Sequence, residues 1–184
     1  MLKALLLAVF IQSSLLAWPQ TLEPLDSSSS VVFQIKNFGL QVDGSFTGLN
    51  GHIIFDRKNP AGALFDLSVD ASTVNTGIEL RDNHLKKAEY FDVNHFPTIS
   101  FVSRKVEATG VRMFNAVGSL TIKGTTKEIM FAFSVESFDD VQIFTGTFSL
   151  NRNDFSIGSR SLTLSDELIV SFTVKALMNK DVSR

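Results

Sequence analysis

The chain has 184 residues, 17 Lys and Arg against 19 Asp and Glu, and no cysteine. Such a length suits one domain, and the near-balanced charge offers no basic patch for neutralising phosphates, which argues against a nucleic-acid partner. The lack of cysteine excludes a disulfide scaffold, a thiolate nucleophile, a Cys-based metal site and lipid attachment at an N-terminal Cys.

In chain order, Lys3 precedes an apolar run from Ala4 to Phe10 that continues more weakly to Leu16, and Ala17 is a small residue suited to precede a cleavage site. This pattern predicts a secretory signal peptide over residues 1–17, with Leu15 larger than usual near the cut. The run is too short for a membrane span, and Gln12, Ser13 and Ser14 interrupt it. No later segment is long and apolar enough to span. The expectation is a periplasmic or secreted protein with no stable membrane insertion after signal cleavage. Residues 18–30, rich in Pro and Ser, read as a flexible leader before one domain over 31–178.

Strand signals then follow one another. Phe33 and Ile35 alternate with Gln34 and Lys36, and Val42, Gly44 and Phe46 alternate with Asp43 and Ser45. Ile53 and Phe55 share a face. Phe65, Leu67, Val69 and Ala71 against Asp66, Ser68 and Asp70 give the clearest period of two. After Ile99 and Phe101 come Leu120 and Ile122, the series Ile129, Phe131, Phe133, Val135, then Phe144, Gly146, Phe148, Leu150, and last Leu168, Val170, Phe172, Val174. Turn residues separate several runs: Lys58-Asn59-Pro60, Lys123-Gly124-Thr125 and Asp139-Asp140. Gly44, Gly48 and Gly51 fit either bends at a barrel corner or, at Asn50-Gly51, a tight hairpin turn; sequence leaves both open.

One segment breaks the strand pattern. Thr76 and Glu79 fit a capping box, Asp82 and Lys86 are spaced as an i, i+4 pair, and Leu80, His84, Ala88 and Phe91 fall on one face. A short helix is predicted near residues 77–91, with that face against the barrel or over its mouth. The fold class is therefore all-β: about eight strands must each bury one face, either in a solid Phe-rich sandwich or in a closed antiparallel barrel, which also removes the edges. Such a barrel is filled by side chains or holds one small ligand. The 17 Phe against one Tyr and one Trp suit either a solid core or a lining for an apolar guest, since Phe has no hydroxyl needing a partner.

Arg81-Asp82-Asn83-His84-Leu85, Tyr90-Phe91-Asp92-Val93 and Phe96-Pro97-Thr98-Ile99-Ser100-Phe101 resemble the central signature of the YceI-like family. Gly118-Ser119-Leu120-Thr121-Ile122-Lys123-Gly124-Thr125-Thr126-Lys127 is similar to its second motif, and Asn151-Arg152-Asn153-Asp154-Phe155 to its third. Val32-Phe33-Gln34-Ile35-Lys36-Asn37-Phe38-Gly39, Gly44-Ser45-Phe46 and Gly51-His52-Ile53-Ile54-Phe55-Asp56 resemble the family's start. Order and spacing agree over residues 31–176. The chain departs from the family at Asn37, where His is usual, and at Ser156, where Gly is usual. The resemblance implies an extended, eight-stranded, lipocalin-like antiparallel barrel in an exported bacterial protein. It also implies that a long isoprenoid, a polyprenyl lipid or quinone tail, is bound inside, with a homodimer as a further option.

The expected lining, on the assumption that each strand's Phe-rich face points inward, is Phe33, Ile35, Phe46, Phe55, Phe65, Leu67, Val69, Phe101, Leu120, Ile122, Phe131, Phe133, Phe148, Val170 and Phe172. Arg81, Asp82 and His84 are candidates for orienting a ligand head group at the rim; helix bracing is the plainer reading. Arg152 and Asp154 are expected to pair and pin their turn. His52, His84 and His95 lack metal-ligand spacing, so no metal and no cofactor beyond the bound lipid is expected. The leading function is an isoprenoid-binding carrier or reservoir rather than an enzyme. A lipid-modifying enzyme with His84 as acid/base and an adaptor with a filled barrel are the alternatives.

Overall fold

The computed structural model describes residues 21–178; the segment expected to be a signal peptide lies outside them. Ten strands form one antiparallel sheet: β1 (Thr21–Pro24), β2 (Ser30–Asn37), β3 (Leu40–Phe46), β4 (Asn50–Ile54), β5 (Leu64–Asp70), β6 (Thr98–Ala108), β7 (Met113–Ile122), β8 (Thr125–Phe138), β9 (Val141–Asn151) and β10 (Leu164–Met178). Neighbours run β1-β4-β5-β6-β7-β8-β9-β10-β2-β3, and β1 also pairs with β10.

Ten strands make eight staves. β2 pairs with the first part of β10, as in Asn37 with Leu164 and Phe33 with Val170, and β1 takes the same edge further on, Leu22 opposite Met178. β3 pairs with β2, and β4 continues its course between β1 and β5. Each of these staves is interrupted once, by a 3-10 turn at Asp26–Ser28 and by a bend at Thr47 to Leu49. Asp26 joins the two interruptions, its carboxylate accepting the Leu49 N–H at 2.8 Å. The result is a closed eight-stranded antiparallel barrel, which leaves few strand edges for another chain to pair with.

Residues 21–30 are not a flexible leader. Leu22 is fully buried, and β1 hydrogen-bonds on both sides. The glycine alternatives resolve toward bends: Gly48 has φ +74 at the β3–β4 corner. Gly51 lies within β4 at φ +123, where a Cβ would sit 2.0 Å from the Asp66 carbonyl oxygen. The tight turns fall at Phe38-Gly39 and Lys123-Gly124, each with two positive φ values, the geometry that suits the twist of a two-residue hairpin.

The helix is shorter than expected. α1 spans Glu79–Leu85, and Ile78 caps it without a side-chain bond, so the Thr76–Glu79 capping box does not form. Leu80 is exposed and His84 largely so; the residues facing inward are Arg81 and Leu85. Phe91 is buried, as expected, but from the turns that follow α1.

The core has two parts. At the end where β4 and β6 finish and β7 begins, Phe55, Phe65, Phe114, Phe133 and Phe144 form a cluster. Phe55 meets Phe114 and Phe144 edge-on at 5.1 and 5.4 Å between ring centres, and Phe65 meets Phe133 and Phe144 at 5.4 Å. Leu22, Ile53, Val106 and Val135 pack with them, all nearly inaccessible. Arg57 crosses this end to the Val135 carbonyl at 3.0 Å. Toward the other end the barrel is hollow.

Candidate functional site

The hollow half holds a cavity of ≈ 250 Å³ with an almost wholly apolar lining. Fourteen of the fifteen residues expected inside do line it: Phe33, Ile35 and Phe46 from β2 and β3, Phe65, Leu67 and Val69 from β5, Phe101 from β6, Leu120 and Ile122 from β7, Phe131 and Phe133 from β8, Phe148 from β9, and Val170 and Phe172 from β10. Phe55 does not; it belongs to the aromatic cluster below. Phe91, expected against the barrel or over its mouth, lines it too, and residues whose contribution the sequence did not reveal include Leu85 and Tyr90 after β5, and Arg152, Phe155 and Ile157 after β9.

What keeps this half open is a repeated pairing of Phe with Gly. Phe33 lies opposite Gly44, and Phe172 opposite Gly146. Phe101 covers Gly118 from one strand over. A Cβ at Gly44, Gly118 or Gly146 would fall within 2.2, 2.6 or 2.5 Å of the facing ring. Each ring therefore lies along the wall in the space that a neighbouring side chain would have filled, and does not project across the lumen. Phe131 stacks on Phe148 at 5.1 Å and 22° as part of the same wall.

The rim is polar in few places. Thr76, ahead of α1, is held by two residues of that helix. Its N–H donates to the Asp82 carboxylate at 2.8 Å, its hydroxyl donates to the same oxygen, and Arg81 Nε and Nη2 donate to its Oγ1 and carbonyl at 2.7 and 2.8 Å. Asp82 thus braces the loop instead of pairing with Lys86, and it faces away from the cavity; Arg81 lines the cavity while making its brace. His84 does not line it. Its ring packs edge-on against Tyr90, and Nε2 lies 3.9 Å from Glu89, beyond hydrogen-bonding distance.

Arg152 is the largest side chain that is almost fully buried. It pins its turn as expected, but not through Asp154. Nε donates to the Ser165 carbonyl, Nη1 to the carbonyls of Ile157 and Ser159, and Nη2 to Asp166 at 2.8 Å. Four acceptors satisfy a guanidinium that would be costly to bury alone. The departure at Ser156 has a conformational reading: its φ of 54 is left-handed, where glycine is at ease. Asn37, the other departure, lines the cavity. Among the described residues no three His, Cys, Asp or Glu side chains gather as a metal site, and His95 bonds Asp92 at the surface.

Fold and site together define a class: a closed eight-stranded antiparallel barrel with one end packed by aromatic rings and the other hollowed into an apolar cavity. The chain belongs to the YceI-like domain family, which residues 21–176 match. A UPF0312 protein of Pseudomonas savastanoi pv. phaseolicola is 32% identical over 152 residues, covering 77% of this chain and 78% of the relative. Among solved structures, BcnA of Burkholderia cenocepacia superposes with a TM-score of 0.79 at 22% identity, over 83% of this chain and 98% of its own. A polyisoprenoid binding domain from Saccharophagus degradans superposes at 0.73 and 17%, over 86% and 98%. At those identities both show the shared fold.

Proposed function

We propose that this protein binds the hydrocarbon tail of an isoprenoid lipid, a polyprenyl chain or quinone tail, and serves as an exported carrier or reservoir in the periplasm. The observation that carries the reading is the cavity: a hollow of ≈ 250 Å³ walled by hydrocarbon and aromatic side chains, near the size of small-ligand sites of about 300–1,000 Å³. Each buried CH₂-sized unit contributes about 0.8 kcal/mol before ordering costs, so even a few isoprene units would bind. The likeness to the Saccharophagus degradans polyisoprenoid binding domain supports the ligand class. The pattern of residues 1–17 supports export.

Binding rather than catalysis is favoured by the rim. Arg81, Asp82 and Thr76 are committed to one another, and His84 stands outside the cavity without a hydrogen-bonding partner to set it up as a base. Native mass spectrometry of protein purified from its own cell envelope, followed by organic extraction, tests the reading. A stoichiometric polyprenyl or quinone species is the expected result. Folded protein that carries none, and takes up none when polyprenols are offered, would overturn it.

A further inference from the structure

We infer that the rim of the hollow end is a membrane-docking surface, on which the barrel sits mouth-down on an anionic lipid bilayer. The inference rests on the proposed lipid cargo for its purpose, but its observations are separate. Phe38 and Leu40 project from the β2–β3 hairpin tip at 74% and 72% exposure, Leu162 from the loop before β10 at 106%, and Leu80 from α1 at 83%. All four adjoin residues that line the cavity: Asn37 precedes Phe38 and pairs with Leu40, Leu164 follows Leu162 by two, and Arg81 follows Leu80. The hairpin and the loop are fastened together, since the Phe38 N–H donates to the Thr163 carbonyl at 2.8 Å and Asn37 pairs with Leu164.

Large side chains this exposed cost solubility and pack nothing in the monomer. The two positive φ values at Phe38-Gly39 make the tip a two-residue hairpin turn. Charge of both signs borders the knobs, Glu79 beside Leu80 and two cations beside the hairpin and loop. Lys36 and Arg160 are both exposed beside the knobs, and neither forms an ion pair among the described residues. Apolar knobs that enter the headgroup boundary, backed by cations that attract anionic lipid, are the usual composition of a peripheral membrane surface. A soluble protein partner would not need the knobs to ring a lipid-sized opening. A bilayer does, because a tail that passes from membrane to barrel across this rim is never exposed to water.

The test is flotation of the purified protein with vesicles of phosphatidylcholine containing phosphatidylglycerol, and with phosphatidylcholine alone. Wild type is expected to float with the anionic vesicles and to release them as salt rises. The triple variant F38S/L80S/L162S should lose at least roughly tenfold in affinity. Phe138→Ser, at the exposed last residue of β8 at the packed end, should change nothing. A polyprenol delivered from ethanol without vesicles reports the cavity independently. Uptake kept by the triple variant, with flotation lost, is the expected pattern. Wild type that takes up polyprenol but never floats would overturn the docking surface alone, as would a triple variant that floats like wild type or knobs that drive only self-association in sedimentation. Flotation without polyprenol uptake would leave the docking surface standing and overturn the cargo.

Discussion

The two ends of the barrel are built from the same residue and do opposite things with it. At the packed end Phe55, Phe65, Phe114, Phe133 and Phe144 close on one another, mostly edge to face with Phe114 stacked on Phe133, and Phe65, Phe133 and Phe144 form the floor of the cavity. At the hollow end Phe33, Phe101 and Phe172 reach over Gly44, Gly118 and Gly146. What differs is the neighbour. Phe144 stands between Val135 and Val174, whose side chains occupy the wall, so its ring must project inward. Phe33 and Phe172, each opposite a glycine, find an empty place on the wall, whereas Phe133, also opposite Gly146, has that place taken by Phe172 and packs in the cluster. The space over a glycine holds one ring, so a ring's place on the wall or in the cluster depends on which neighbour claims that space.

That contrast can be broken from either end. Phe144→Ala should have the largest effect, a loss of about 3–5 kcal/mol in urea unfolding, because it removes a buried ring that packs edge-on against Phe55 and Phe65. Arg152→Met would follow at about 2–4 kcal/mol in the same assay. It leaves three carbonyls and Asp166 without their donor, and it should loosen the rim before the packed end, visible as faster hydrogen exchange over residues 156–165. Phe172→Ala should cost only about 1–2 kcal/mol, since its ring already borders empty space, while the lumen widens and accepts a bulkier polyprenol in a uptake assay. Gly146→Ala should cost about 1 kcal/mol and act in the reverse sense: the new Cβ displaces the Phe172 ring into the lumen and lowers polyprenol uptake. His84→Ala should leave stability within about 0.5 kcal/mol and leave uptake unchanged; a loss of turnover on any lipid in that variant would revive the enzyme alternative.

Much of this was legible in the sequence, because inward and outward alternate with a period of two. The inner faces of β5, β8, β9 and β10 can be read directly from their residues. Depth cannot. Phe55 and Phe46 carry the same inward signal, and only the topology places one among rings and the other on the cavity. The stretch from Val102 to Ala116 was silent for two reasons. A register shift between Ser103 and Lys105 breaks the alternation, with Ser103 turned inward to accept the Phe65 N–H at 2.8 Å. Then Ala116 and Gly118, both inside, are too small to mark a face. β1 was missed because four residues ending in proline give little pattern. Arg152 was read as pinning a turn, but its true acceptors lie five to fourteen residues onward, a distance at which no local rule selects them. The inward face of α1 was misassigned because a helix of seven residues gives two turns of pattern at most, and the buried Phe91 belongs to the turns beyond it.

The pairing of Leu22 with Met178 has a consequence for how the molecule comes to exist. The stave that closes the barrel joins the first described strand to the last, so the ring cannot shut until both are present. Sheets dominated by such distant pairings fold slowly, in milliseconds to seconds, and until closure the inner face of every strand is open to water and to other chains. A polyprenol present during refolding would bind only the completed state and pull the equilibrium toward it.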